Sequence, residues 1–368
     1  MRPLVEERCE NHNPPDIEDI EVSMFGAGFG ECLCVHLPGG MWILVDSCRG
    51  LSGQPASLEY LEELGIDVET SVSLVVASHW HIDHVQGFTE LVEVCRSAEP
   101  VMSGALHSME LLTYAGASQY LGTSVPHAIE ELTRTLKLIS EQETRFITPA
   151  QARMRLLEYR FGSVYSSVTA LSPSPASVAA AISDLAWARL EPGVVIRTPR
   201  PDHNSAAVVL GVRAGDTAVL LASDLENHPD RSRGWRAVVD INGLSSRMNA
   251  VKVAHHGSEN ADSGVVWDEL LVANPIGMLT HFHRGSVHLP EGSQLAKIAS
   301  RCGALYSTSG PSWTPAVMPA GEAARRLAKG RSIGWRSPGL GHVRLRARPC
   351  GPEQGWRVSL CGPAAGVT

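Results

Sequence analysis

Apolar residues in this chain fall into short runs punctuated by glycine, proline and polar clusters. That pattern predicts buried strands alternating with helices. Ile20 to Met24 reads as a strand and leads into FGAGFG. The GxGxG spacing differs from the dinucleotide-binding fingerprint, and no helical pattern follows it. CLCVHLPGGMWILVDS has apolar arms around Pro-Gly-Gly, which predicts a β-hairpin ending at Asp46. Cys32 and Cys34 alternate along its first arm and so share a face. Pro55 to Leu64 predicts a helix closed by Gly65, and Ser71 to Ala77 a short buried strand.

Beyond about residue 90 the pattern is mixed. His127 to Gln142 has helical spacing, Leu156 to Leu171 reads as short strands, and LSPSPAS is a turn into a helix over Val178 to Leu190. A second hairpin follows in SAAVVLGVRAGDTAVLLASD and ends in Asp224; MNAVKVAHHGS is then a strand running into histidines. One arrangement thus occurs twice: hairpin, acid at a strand end, helix, strand, histidines. Asp46 precedes His79 by 33 residues and Asp224 precedes His255 by 31. Two related halves are expected to meet at the ends of their strands.

The 368 residues, 43% of them hydrophobic and 19% charged, suffice for a globular core. No apolar run reaches the roughly 18 residues of a membrane helix, and MRPLVEERCENHNPP has no signal-peptide core. A cytoplasmic location and no membrane partner are the expectation. The net charge of −8 argues against an indiscriminate nucleic-acid binder. Eight cysteines without a CxxC pair predict reduced thiols packed as small hydrophobes. Residues 1–19 read as a loose N-terminal arm. Residues 321–357 hold nine lysines and arginines against two acids. This basic extension, 321–368, is expected to pack on the main domain. A solvated face is one reading of it; the other is an electropositive patch, with Arg325, Arg326 or Arg344 facing a cleft.

His79-Trp80-His81-Ile82-Asp83-His84 carries the chemistry. A loop leaving a buried strand aims four side chains at one small volume. His79 and His81 offer imidazoles to one divalent metal, and Asp83 and His84 turn toward a second. Mixed His and Asp ligation suits zinc, with manganese or iron as alternatives.

This HxHxDH motif after an apolar strand resembles the metallo-β-lactamase fold superfamily. Asp46 in ILVDS, Asp224 in LLASDLE and the VAHHGS segment are similar to its further motifs. With HNSAAVVL, the late motif resembles the soluble metallo-hydrolase domain of competence DNA-uptake channels and its stand-alone bacterial relatives. The resemblance covers about residues 20–310. It implies an α/β fold, a four-layer αβ/βα sandwich of two mixed β-sheets, with a 20–320 domain carrying an insertion at about 90–200. It also implies two divalent metal ions, held by His79, His81, Asp83, His84, His203, Asp224 and one of His255 and His256. Asn204 is the alternative to His203. The echo between the halves favours His255, and the HxS spacing favours His256. Asp46 is expected behind the ligands, orienting the metal loop. Asp83 is expected to orient the nucleophile and His288 to contact substrate, with His281 and His283 on the surface.

The implied activity is metal-dependent hydrolysis by a metal-bridging hydroxide. A phosphodiesterase or nuclease, with an anionic substrate such as nucleic acid or a nucleotide, is the leading expectation. Hydrolysis of a small ester, lactone or thioester is the alternative. A non-catalytic metal-binding regulatory or interaction protein is the reading from another class.

Overall fold

The structure is a computed structural model. It describes residues 5–9, 13–106, 127–142, 144–186, 203–243, 246–309, 339–351 and 355–367. In chain order the strands are β1 (Val5–Arg8), β2 (Ile20–Gly26), β3 (Glu31–Leu37), β4 (Met41–Val45), β5 (Val72–Ala77), β6 (Glu99–Ser103), β7 (Thr148–Ala150), β8 (Met154–Phe161), β9 (Val164–Ala170) and β10 (Leu210–Ala214). They continue with β11 (Thr217–Leu221), β12 (Met248–Lys252), β13 (Leu271–Leu279), β14 (Phe282–Arg284), β15 (Val287–Leu289), β16 (Ala304–Ser307), β17 (Gly341–Ala347), β18 (Arg357–Cys361) and β19 (Ala365–Val367).

They form a nine-stranded sheet, β1-β18-β17-β2-β3-β4-β5-β6-β7, and an eight-stranded sheet, β19-β16-β13-β12-β11-β10-β9-β8; β14 and β15 make a separate hairpin. Both large sheets mix parallel and antiparallel pairs. In the first, hairpin β3–β4 is followed by β5 parallel to β4; in the second, hairpin β10–β11 is followed by β12 parallel to β11. The echo in the sequence is therefore an echo in space, with Asp46 and Asp224 at equivalent strand ends.

Alternation along the strands builds four layers. Leu33 and Val35 of β3, with Val22, Ile43 and Val76, pack between the sheets against Val212, Leu221, Ala250 and Ile276. Cys32 and Cys34 face the other way, into a cluster with Trp42, Leu61, Phe88 and Leu91 under the helices Ala56–Glu63 and Phe88–Val94. On the outer face of the second sheet Leu220 and Val251 pack against Trp235 and Val238 of the helix Gly234–Asn242. Each fully buried aliphatic or aromatic side chain contributes about 1.5–3 kcal/mol, so these three layers of contact hold the sandwich together.

Several expectations are corrected. The stretch expected as an insertion at 90–200 supplies β6 and β7 to the first sheet and β8 and β9 to the second. The cause is direct: β6 pairs in parallel with β5 and β9 antiparallel with β10. The N-terminal arm, in its described part, includes β1, which pairs in parallel with β18. Cys9 is disulfide-bonded to Cys361, so these two cysteines are not the reduced thiols expected. The helix expected over Val178 to Leu190 begins earlier, at Pro175.

The basic extension is also built in. β17 and β18 lie inside the first sheet, between β1 and β2. Three of its described arginines, Arg346, Arg348 and Arg357, are held by acids of the chain start. Arg346 donates to Glu21 at 2.5 Å, Arg348 to Asp19 at 2.6 Å and Asp16 at 2.9 Å as well as Glu18, and Arg357 to Asp19 at 2.7 Å. Arg344 is buried within β17 and donates to Ser359 Oγ at 3.2 Å. Arg325 and Arg326 lie outside the described residues. No described helix is long and apolar enough to cross a membrane.

Candidate metal centre

The centre lies where β4, β5, β11 and β12 end. Four non-glycine residues there have left-handed backbone: Asp46 (φ 61°), Ser223 (47°), His255 (46°) and His256 (51°). Such strain persists where surrounding contacts over-determine it, and it clusters at functional sites. At Asp46 the restraint is visible. Its Oδ1 accepts from the Ser78 amide and its Oδ2 from Ser78 Oγ, each at 2.8 Å.

Asp224 is the hub. Its Oδ2 lies 3.3 Å from His84 Nε2, 3.7 Å from His256 Nε2, 3.9 Å from His79 Nε2 and 3.9 Å from His255 Nε2. Asp83 Oδ2 closes one set, at 3.6 Å from His84 Nε2 and 3.4 Å from His256 Nε2. Two groups of donor atoms result, each mutually within 4.8 Å: Asp83, His84, Asp224 and His256, and His79, His81 and Asp224. Asp224 belongs to both.

The donors fit metal ions. Ligands about 2.0–2.2 Å from one tetrahedral ion stand roughly 3.4 Å from one another, close to the separations in the first group. His84 Nε2 and His256 Nε2 are buried and have no hydrogen-bond partner among the described residues. Two orphaned ring nitrogens directed at carboxylate oxygens are costly to bury without a further partner.

The far side of each ring is held. His84 Nδ1 donates to Asp46 Oδ2 at 2.8 Å, and His79 Nδ1 is 3.0 Å from Ser78 Oγ. His256 Nδ1 faces the Thr280 carbonyl at 3.2 Å and Thr280 Oγ1 at 2.9 Å. Each Nδ1 is thereby occupied, which fixes the tautomer that offers Nε2 to an ion. Burial disfavours the charged form of His84, but Asp224, Asp83 and Asp46 outweigh it and hold its pKa well above the ordinary value. For His79 burial dominates, with His84 adding to it, and its pKa is well below the ordinary value. Burial raises the Asp83 carboxyl, yet His84 and His256 bring it down to about 2.

His203 stands beside the smaller group. Its ring centre is 4.8 Å from that of His81, its Nδ1 is buried without a hydrogen-bond partner, and burial pushes its pKa down to about 3. Asn204 turns elsewhere and donates to Glu226 Oε1 at 2.6 Å. Of the adjacent histidines, His256 stands in a donor group. His255 has its Nδ1 3.0 Å from Glu226 Oε1.

His288 is not brought to the cluster. It sits exposed on the β14–β15 hairpin, its Nδ1 2.5 Å from His283 Nδ1. His281, expected on the surface, is buried with its Nδ1 2.8 Å from Ser307 Oγ. Sequence reasoning missed Glu31, Ser78, Glu226, Lys252 and Thr280. For Lys252 a signal existed: a lone cation in the apolar strand NAVKVA, just before the histidines.

No family model and no curated protein matches the chain. Among solved structures it is similar to the metallo-β-lactamase fold protein YhfI from Bacillus subtilis, at 12% identity over 78% of this chain and 95% of that one, with a TM-score of 0.38. It is similar to MEM-A1, a subclass B3 metallo-β-lactamase from a soil metagenome library, at 16% identity over 89% and 88%, with a TM-score of 0.31. A third is CmlA, a diiron β-hydroxylase from Streptomyces venezuelae, at 14% identity over 65% of this chain, with a TM-score of 0.32; the chain spans 35% of CmlA. The chain's own topology, two mixed sheets face to face with helices outside, is that of the metallo-β-lactamase fold.

Proposed function

We propose that the chain is a dinuclear metal-dependent hydrolase and that its substrate is a small phosphodiester. One observation carries the hydrolase reading: a single buried oxygen, Asp224 Oδ2, is shared by two sets of histidine and aspartate donors. His79, His81 and Asp224, with His203 beside them, would hold one ion; Asp83, His84, His256 and Asp224 would hold the other. Bound divalent ions supply Lewis-acid activation of water and of the scissile group. Zinc suits the donor set, with manganese or iron as alternatives.

The chain's own residues supply position. Asp46, Ser78 and Thr280 fix the imidazole orientations, so little reorganisation is needed at the moment of reaction. Asp83 is 6% exposed and Asp224 1%. Asp83 is therefore the carboxylate placed to orient an attacking water and take its proton.

What borders the centre supports this substrate class. The Phe282 ring is 5.2 Å from the His256 ring and 5.7 Å from that of Phe29, and the Arg284 guanidinium lies 5.5 Å from the centre of the Phe29 ring. An apolar wall ending in one cation suits a small molecule with one anionic and one apolar part. The likeness of VAHHGS, with HNSAAVVL before it, to the DNA-uptake relatives favours phosphodiesters. Long nucleic acid is disfavoured because Arg346, Arg348 and Arg357 are committed to acids near residues 16–21 and Arg344 is buried. Of these acids Glu21 lies five residues, roughly 17 Å, along β2 from Gly26, which packs against Thr280 beside His256. A second reading, hydrolysis of a neutral ester or lactone, draws on the same phenylalanine wall.

Metal analysis with a substrate panel of bis-p-nitrophenyl phosphate, plasmid DNA, RNA, a lactone and a thioester tests this. Two ions per chain with turnover of the small phosphodiester is expected. Turnover of the lactone or thioester alone selects the second reading, and a metal-loaded protein inert to the whole panel points to a binding or regulatory role.

A further inference from the structure

Lys252 ends β12. Its side chain turns, as that of Ala250 does, into the space between the sheets. Glu31 begins β3 and turns into the same space from the opposite sheet, in phase with Leu33 and Val35. The two meet directly behind the metal donors, where Lys252 Nζ contacts Glu31 Oε1, both side chains being at most 1% exposed. Lys252 Nζ also donates to the Ser223 carbonyl at 2.9 Å and lies 3.3 Å from Asp224 Oδ1. Glu31 Oε2 accepts from Thr280 Oγ1 and is 3.5 Å from His256 Nδ1.

Stability alone does not explain such a pair. Withdrawing two charges from water costs several kcal/mol per ion, and apolar replacements of equal volume are often neutral or stabilising. What the pair does supply is direction. The Asp224 carboxylate has two oxygens and one soft torsion. With no partner on Oδ1 it could turn either oxygen forward, or chelate one ion with both. Lys252 occupies Oδ1 from behind, and Oδ2 is left facing the ring nitrogens of both donor groups at 3.3–3.9 Å.

We infer that Lys252, held by Glu31 across the seam between the two sheets, is a positioning residue that pins Asp224 Oδ1 so that Oδ2 alone is offered to both metal sites. The inference rests on the dinuclear reading above. It makes the two halves of the sandwich jointly responsible for the bridge, since the cation comes from one sheet and its clamp from the other.

Cobalt(II) titration of the full chain tests it, with optical spectra and thermal melting as separate readouts. Lys252→Met removes the ammonium and strands Glu31. The double variant Lys252→Met/Glu31→Gln removes both charges, so neither is stranded. If the pair merely joined the sheets, the double variant would recover both melting temperature and metal binding. Positioning predicts recovered melting, a loss of at least tenfold in affinity for one of the two ions and a changed d–d spectrum, with partial rescue in Lys252→Arg. A wild type that binds two ions and a double variant matching it in affinity and spectrum overturn the inference alone. A wild type that binds no metal overturns the dinuclear reading, and this inference with it. Should the variants not fold, the ¹⁵N resonance of the Lys252 ammonium in the unsubstituted protein decides. It is expected to shift as metal is added, and a resonance indifferent to metal overturns the inference.

Discussion

Asp46 Oδ2 and His84 Nδ1 stand 2.8 Å apart, both buried, although 38 residues separate them in the chain. The carboxylate only accepts, so a proton resides on Nδ1, and Nε2, 3.3 Å from Asp224 Oδ2, is the nitrogen that would be offered to an ion. Asp46 adopts a left-handed backbone to reach this position and is anchored there by two hydrogen bonds from Ser78. The hairpin end thus acts on the centre through one histidine.

Asp46→Asn is expected to weaken metal binding by about 10–100-fold, because an amide can turn a donor toward the histidine and upset its tautomer. Competition against a chelator of known affinity measures this. An unchanged affinity would mean that Asp46 serves the strand end and leaves the ligand unaffected.

Substitutions in the donor groups should separate their members. Asp224→Ala removes the shared oxygen and should lower content at both sites. His81→Ala and His256→Ala should each cost mainly one ion. His255→Ala should leave close to two ions per chain, since its Nδ1 faces Glu226 and it belongs to neither donor group. Metal analysis after dialysis gives the answer, and loss of an ion from the His255 variant would reverse the assignment of the adjacent pair.

Much of this was legible in the sequence, because motif and hairpin signals are local. The HxHxDH run and both strand-end aspartates depend only on which residue follows an apolar strand. The partners of β6–β9 were not legible, since a short β-branched run does not say which sheet edge it will join. Cys9 and Cys361 lie 352 residues apart, a separation that carries no spacing signal. Glu31 and Lys252 each look like one charge in an apolar run. Their meaning appears only when strands from opposite sheets are brought face to face. Sequence does not choose between His255 and His256, because adjacent residues differ in direction by backbone geometry alone, here two consecutive left-handed residues.

Gly26 is expected to tolerate no side chain. A Cβ there would stand 2.4 Å from Thr280 Cγ2, and Thr280 contacts both His256 and Glu31. Gly26→Ala should cost about 1–3 kcal/mol through overpacking, and should weaken metal binding as Thr280 is displaced. Denaturant melts of the metal-free protein and a metal titration measure the two effects. A variant with native stability and native affinity would show that the end of β2 yields without disturbing Thr280.

Asp262, which belongs to neither donor group, should give the protein a measurable acid dependence of its own. Burial pushes its carboxyl upward, but Lys297 at 2.7 Å, Gln294, the Trp267 indole at 2.8 Å and Arg301 at 3.2 Å outweigh it and hold it below the ordinary carboxylate value. A carboxyl depressed in the folded state adds stability that is complete above the unfolded value near pH 4. That stability is lost as pH falls through the folded value. Asp262→Asn should therefore destabilise at pH 7 and flatten the loss of stability below pH 4. Lys297 is half exposed and remains hydrated when stranded, so the cost belongs at the low end, about 1 kcal/mol. Equal slopes for wild type and variant between pH 4 and pH 2.5 would contradict this.

The last expectation separates the two sources of positive charge. Arg348 is spent on Asp16, Glu18 and Asp19 at the chain start. Arg284 is exposed beside Phe29, on the wall that reaches the His256 ring through Phe282. An exposed charge within about a Debye length of the reacting centre attracts an anion, and one beyond that distance is screened. Arg284→Glu should raise KM for bis-p-nitrophenyl phosphate several-fold, more at low salt than at high, and leave a neutral ester nearly unchanged. Arg348→Glu should leave both KM values alone and lower the melting temperature, because it places a fourth negative charge among three. Steady-state kinetics at two ionic strengths, with a melt of each variant, test the pair. If Arg348→Glu moved KM for the anionic substrate and Arg284→Glu did not, the substrate would enter from the tail side, and the reading that excludes long nucleic acid would fail.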